Sequence, residues 1–452
     1  MSFSACRPAV VLLSLCLSAG TAAAARAAVH PSVLASRPAK ASAAAPTHAS
    51  VSVAELVAAA QRDNPTLQAA RGAIEVSRAR LANTGLKPNP RLEVGARSDF
   101  PFGNEGEYEL SVAVSQDIPM AGRLLRAKDV ARVDVAIAQA EVDEVARKLA
   151  GDVANAAWRL RVLDHRIEDS NRPIAVDESL LAVLRKRFRA AEVSEMDINT
   201  VRIEMQRHAQ AVRTLEVERQ AIAAGLNALL GRSVDVPLRI AGAVEVLPPP
   251  PLATLQAQAR AQRPDWHKAL LGVDRAAAEA ALARSERWED WSVALGVSQD
   301  RQVIKGTPPQ DIGRMVGASV SIPLPLRNNG SARIALAAAE SAQARAVADA
   351  QGRAIDAEVA VAYVRAESLR TSLAQAQDAF APAERNVQLA RLGYSMALVS
   401  VFDIVKAQRE LAEAHARYFE LLDEALQAQV QLQTATGALI HGDAPAPPRK
   451  DR

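Results

Sequence analysis

The amino-acid sequence predicts a mainly α-helical protein with a small β component, built as two copies of one helix–β-hairpin–helix unit. Three observations predict it. First, an alternating strand runs into a proline stop, a polar turn and a helix start at Val320–Ile334 (VSIPLPLRNNGSARI), and the same switch stands at Val114–Ala127 (VSQDIPMAGRLLRA). Ile118-Pro119 and Gly122 in the earlier copy take the places of Ile322-Pro323 and Gly330, with Pro325 as an extra stop in the later one. Second, a very long Ala-rich helical run follows each switch. Third, Phe188, Ser194, Asp197 and Ile198 match Tyr394, Ser400, Asp403 and Ile404 at a constant offset of 206, which Gly231 and Gly437 also keep.

Composition agrees with long helices. Aromatic residues make up only 3% of the 452 positions, amid abundant Ala, Gln, Glu, Arg and Leu, which favours extended helix packing over a thick globular core. The net charge of +3 is spread with both signs interleaved and no basic block, so the chain lacks a nucleic-acid footprint. Arg7 followed by the apolar run Val10–Ala19 and a stretch of small residues reads as a secretory signal peptide over 1–27, too short to span a bilayer. Leu15 before Cys16 is not the small residue that a lipoprotein signal requires. Both cysteines, Cys6 and Cys16, leave with that segment, so the exported chain is expected to use neither disulfides nor thiolate metal sites.

Residues 28–50 are expected to be a flexible Ala/Ser/Pro tether. The first structural repeat, 51–231, opens with helix from Ser52 to about Leu86, broken at Asn64-Pro65 and stopped by Lys87-Pro88-Asn89-Pro90. A β-hairpin over 91–118 follows. In it Leu92, Val94 and Ala96 alternate with Glu93, Gly95 and Arg97, and Tyr108, Leu110, Val112 and Val114 alternate with Glu109, Ser111, Ala113 and Ser115. From Gly122 the chain is helical to about Arg189, a run on the order of 100 Å. Pro173 reads as a kink within it, because Ala190–Ser194 is the better turn and Asp197 can support a new helix start. The return helix to about Gly231 carries Val201, His208, Leu215, Ile222 and Leu229 at heptad spacing. His208 on that seam is expected to be a packed or partly solvated polar residue rather than a ligand.

Residues 232–251 form a proline-ended crossover linker, and the second repeat, 252–440, restarts the pattern. Its first helix spans about 252–288, with Gln262-Arg263-Pro264 echoing Gln61-Arg62-Asp63. The second hairpin, 291–322, alternates Trp291, Val293, Leu295 and Val297 with Ser292, Ala294, Gly296 and Ser298, then places Val316, Ala318, Val320 and Ile322 on one face beyond a polar loop at Asp300–Ile312. The second long helix covers about Asn328–Leu392 with Pro382 as its break. A turn near Ser395–Val399 and a last helix to about Leu439 complete the repeat, and 441–452 are expected to be a loose tail.

Four strands of about ten residues, each with one apolar face, match the length that crosses a bilayer at barrel tilt. Either hairpin alone also fits the half-buried edge of a soluble sheet. Four strands cannot close a barrel, and open edges in lipid cost several kcal/mol per unpaired group, so membrane strands would have to close with other copies. Two copies give eight strands, with a lumen filled by side chains, and three give twelve, wide enough for a water-filled passage lined by Glu93, Arg97, Ser111, Ser292 and Ser298. The long helices lack an 18-residue apolar run and belong in water.

The chain resembles the TolC-type outer-membrane efflux family over about 50–440. The family pattern aromatic-x-x-Gly-x-x-Ser/Thr-x-x-Asp-hydrophobic occurs as FRAAEVSEMDI at Phe188–Ile198 and YSMALVSVFDI at Tyr394–Ile404, with Ala191 and Ala397 standing where the family has glycine. VSIPLPLRNNG looks most like the heavy-metal (cobalt–zinc–cadmium resistance) branch. The resemblance implies a homotrimer with a twelve-stranded outer-membrane barrel, continued by a periplasmic coiled-coil tube. It implies an exit duct for heavy-metal cations, with drugs or proteins as the alternative cargo. Implied partners are outer-membrane lipid, a periplasmic adaptor and an inner-membrane pump of the resistance–nodulation–division class. The turns carrying Ala191, Ser194, Ala397 and Ser400 would be the periplasmic tips, and threefold repetition would make carboxylate rings of Asp197 and Asp403 that favour cations. The same aspartates serve equally well as helix starts.

No enzyme is expected: the seven histidines are scattered and no HExxH, GxSxG or phosphate loop occurs, so neither a cofactor nor a metal site is predicted. The rival from another class is a periplasmic adaptor or coiled-coil scaffold without a pore, against which the duplicated order of helices and hairpins argues.

Overall fold

The computed structural model describes residues 50–103, 106–301 and 313–440. The expected signal peptide, nearly all of the tether, most of the Asp300–Ile312 loop and the tail at 441–452 lie outside the described residues.

Two short helices, α1 (Val53–Asp63) and α2 (Pro65–Asn83), are divided at Asn64, whose side chain caps α2 while Pro65 takes the first helical position. α2 ends at Asn83, three residues before Leu86, with Thr84 as its C-cap. Strands β1 (Arg91–Ser98) and β2 (Tyr108–Ile118) then lead into α3 (Arg123–Arg189), one continuous helix through Pro173. α4 (Glu195–Leu229) returns along it. The second repeat runs α5 (Leu252–Gln262), α6 (Pro264–Ser285), β3 (Trp291–Arg301), β4 (Gly313–Ser321), α7 (Ser331–Asp378), α8 (Phe380–Ser395) and α9 (Val401–Thr436). The second long helix therefore starts at Ser331, not Asn328, and parts at Ala379. Its last residue, Asp378, is the i−4 neighbour of Pro382, whose ring would clash with that carbonyl.

The two repeats superpose in their hydrogen bonds, and this corrects one sequence correspondence. α1 and α5, and α2 and α6, start 199 residues apart, so Arg263 is the counterpart of Asn64, and the echo of Gln262-Arg263 with Gln61-Arg62 is two residues out of register. The chemistry agrees: Asn64 Nδ2 donates to the Leu229 carbonyl at 2.8 Å and Arg263 Nη1 donates to the Ala435 carbonyl at 3.0 Å, carbonyls 206 residues apart. A different side chain does the same work in each half, closing the end of the return helix.

All neighbouring strands pair antiparallel in the order β1-β2-β3-β4. The register lays apolar rows straight across the sheet, Val94–Val112–Val297–Val316 and Leu92–Val114–Leu295–Ala318. The opposite face carries small and polar residues such as Gly95, Ser111 and Ser298, and there Ser115 Oγ donates to Glu93 at 3.1 Å. Both β1 and β4 are edges of the chain's own sheet, and every residue in them is exposed.

The helices pack in a layer. α3 lies against α2, α4, α6 and α9, and α7 lies against α6 and α9. Their core is alanine-rich, with Ala150, Ala154, Ala157 and Leu160 of α3 meeting Leu56, Leu226 and Val430, so the helix axes approach closely. Among the described residues no helix is long and apolar enough to cross a membrane.

Candidate functional site

The residues that the sequence singled out gather at two levels: the strand ends and the helix-to-helix turns. At the strand ends, the β2–β3 ladder closes with Ile118 opposite Trp291, and Pro119 prevents its extension. Gly122, with φ 69°, then caps α3. In the second copy the ladder closes one residue earlier than expected, at Ser321, before Ile322-Pro323. Gly330, with φ 73°, caps α7, and the two asparagines brace it: Asn328 Oδ1 accepts from the Gly330 amide at 3.2 Å and Asn329 Oδ1 from the Ser331 amide at 3.0 Å. Ion pairs tie this level together, with Arg123 Nη2 2.5 Å from Asp290 and Arg333 Nη1 2.6 Å from Glu286.

At the far end, the two turns repeat each other bond for bond. The amides of Glu192 and Ala191 donate to the carbonyls of Arg187 and Phe188 at 2.9 Å, and those of Leu398 and Ala397 to Gly393 and Tyr394 at 2.8 and 3.1 Å. This is a Schellman ending, which places the residue after the helix cap in the left-handed region and so favours glycine. Here Ala191 and Ala397 occupy it, each with φ 60°. The two alanines are held in a backbone conformation that glycine adopts without strain.

Each turn then starts a helix through a capping box. Ser194 Oγ accepts from the Asp197 amide at 3.3 Å and the Ser194 amide donates to Asp197 Oδ2 at 3.0 Å; for Ser400 and Asp403 the distances are 3.4 and 2.8 Å. The hydrogen bonds from Ser400, with Lys406 nearby, hold the Asp403 carboxyl below the usual carboxylate range. Both aspartates are therefore helix-start residues. Beneath them Leu181, Leu184, Ile198, Val201, Val401 and Val405 form one apolar cluster that joins the two turns, with Tyr394 packed against it under the Arg187 guanidinium, 5.0 Å from the ring centroid. Phe188, the counterpart of Tyr394, stays exposed, as do Met196, Leu398 and Phe402.

Comparison with known proteins fits this geometry. The sequence model of the family described as outer membrane efflux protein matches residues 56–232 and 255–438. The chain belongs to that family. It is an outer-membrane efflux channel, with the helical tube and β-barrel strands of the TolC fold. Among its relatives is the cobalt-zinc-cadmium resistance protein CzcC of Cupriavidus metallidurans, 22% identical over 390 residues, which are 83% of this chain and 87% of CzcC. Crystal structures of CusC match with a TM-score of 0.70 at 18% identity, covering 86% of this chain and 93% of CusC. The outer membrane protein VceC from Vibrio cholerae matches with a TM-score of 0.65 at 16% identity, covering 85% of this channel and 96% of VceC.

Sequence reasoning missed the polar contacts between the helices of this channel. His208 Nδ1 lies 2.8 Å from Asp177 Oδ2, a partner that was not foreseen, and its side chain is partly buried. His415 Nδ1 lies 2.6 Å from Asp169, and Arg409 and Arg207 both reach the buried Glu204. Heptad spacing locates such residues on a seam; it carries no signal of which helix faces them.

Proposed function

We propose that three copies of this chain form a passive exit duct for heavy-metal cations, crossing the outer membrane as a twelve-stranded barrel and continuing into the periplasm. The observation that carries the reading is the open sheet: an apolar outer face, a small polar inner face, and two unpaired edges per chain. Unpaired edges in lipid are costly, and pairing β1 of one copy with β4 of the next removes them. The helices support the same closure with other copies. α6 packs between α3 and α7, whereas on the corresponding outer flank of its counterpart α2, among the described residues, no long helix of the chain packs, and Val76 is exposed. A second copy supplies the missing helix.

Channels of this family work with partner proteins of the envelope. We infer a periplasmic adaptor and an inner-membrane pump of the resistance–nodulation–division class, meeting the tip turns at Phe188–Asp197 and Tyr394–Asp403. Metal as cargo is supported by the likeness to CzcC and by the spelling of the Val320–Gly330 strand end. In the trimer Asp197 and Asp403 form rings that select for cations, while still capping their helices. Planar-bilayer recording tests this: Asp403→Ala raises conductance or lowers cation selectivity, and unchanged values leave Asp403 only its capping role. Growth of a deletion strain on graded zinc, cobalt and cadmium, against unrelated antibiotics, tests the cargo; sensitivity to antibiotics alone overturns metal export.

A further inference from the structure

Pro173 leaves the Asp169 carbonyl without its helical donor, so α3 is weakened about 17 residues, or roughly 25 Å, from the tip turn. Shifted by the repeat offset of 206, Pro173 falls on Ala379, the residue at which α7 gives way to α8. There no side chain caps the new helix, and the Ala379 and Ala383 amides make long 3.3 Å bonds to the carbonyls of Ala376 and Ala379. The two long helices thus have their weak points at one level, although only one has its proline there.

One side chain touches both. His415, on α9, is hydrogen-bonded through Nδ1 to Asp169 Oδ2 at 2.6 Å, one turn before Pro173, and its ring meets Phe380, the first residue of α8, edge-on at 4.6 Å. On the other side of Pro173 by the same four residues, Asp177 is buried and bonded to His208 of α4. A cavity of about 540 Å³, bordered by Pro173, Val176, His208, Val387, His415 and Phe419, lies at this level. Close-packed interiors resist bending, and an unfilled space here lets neighbouring side chains move.

We propose that Pro173 and Ala379 form one hinge level in the wall of the duct, with His415 as the clamp that holds both weak points straight. Below it, the tip segments of α3, α4, α8 and α9 swing together on the apolar cluster that joins their turns. A bend of about 20° at a lever of roughly 25 Å displaces the tip by roughly 9 Å. That this motion widens the exit rests on the channel reading; the bending itself is measured without transport.

Hydrogen–deuterium exchange of the full chain in detergent tests it. Amides at 174–178 and at 380, 381 and 383 exchange faster than those one heptad away on either side. His415→Ala speeds exchange at both segments by about five-fold, the loss of one partly buried hydrogen bond, although the segments lie more than 30 residues from it in sequence. Pro173→Ala restores the missing donor and slows exchange at 174–178. Acceleration confined to the neighbourhood of residue 415, uniform acceleration of all helices, or no slowing in Pro173→Ala overturns the hinge. Because none of these signals depends on conductance, a failed channel reading leaves them unchanged.

Discussion

Replacing Ala191 or Ala397 by glycine should stabilise the tip turns, and the size of the effect follows from two opposing terms. An L-residue in the left-handed region costs roughly 1–2 kcal/mol, and both alanines sit there with φ 60°. Glycine removes that cost but loses about 0.5–1 kcal/mol more backbone freedom on folding. The difference is a gain of about 0.5–1 kcal/mol per turn. Ala190 supplies the control inside the same turn: its φ is −87°, so Ala190→Gly meets only the entropic loss and destabilises by about 0.5–1 kcal/mol. The readout is amide exchange at Glu192 and Leu398, whose N–H groups close the turns onto Arg187 and Gly393. Ala191→Gly and Ala397→Gly should slow it by about two- to five-fold, and Ala190→Gly should speed it by a similar factor. Equal or faster exchange in the first two variants would refute the left-handed geometry. It would also refute the claim that these alanines carry the strain of a left-handed backbone.

Two further outcomes follow from side-chain chemistry. Arg263, 2% exposed, holds Asp265, Glu358 and the Ala435 carbonyl, so Arg263→Ala should destabilise the chain by about 3 kcal/mol, near the low end for breaking a buried pair because Glu358 remains half in water. Denaturant melting checks it, and a loss below about 1 kcal/mol would mean that the end of α9 does not depend on this residue. The second concerns pH. Hydrogen bonds from Ser400 lower the Asp403 carboxyl in the folded chain, so its capping contribution is present above the unfolded value near 4 and is lost as pH falls below it. Exchange at the Ser400 amide should therefore accelerate, beyond its intrinsic dependence, only in the acid range, and Asp403→Asn should remove that step.

Much of the fold was legible because its signals are local. Alternation set the apolar rows of the sheet, the prolines marked the strand ends, and Asp197 and Asp403 marked two helix starts. Those features depend on residues within four positions of one another, or on a fixed repeat offset. The site was less legible. Nothing in the spacing of His415 names Asp169 or Phe380 as its neighbours, and Arg263 had to be seen beside the Ala435 carbonyl to be recognised as the counterpart of Asn64.

By itself, then, the sequence determined the duplication, the element order and the polarity of each strand face, since periodicity and capping are energies of the chain with itself at short range. The tertiary structure alone decided that the 199- and 206-residue offsets coexist, that two alanines hold a glycine's conformation, and that one histidine spans the weak points of two long helices. Each of those is a choice of partner across distant chain segments, fixed by packing after the local structure has formed.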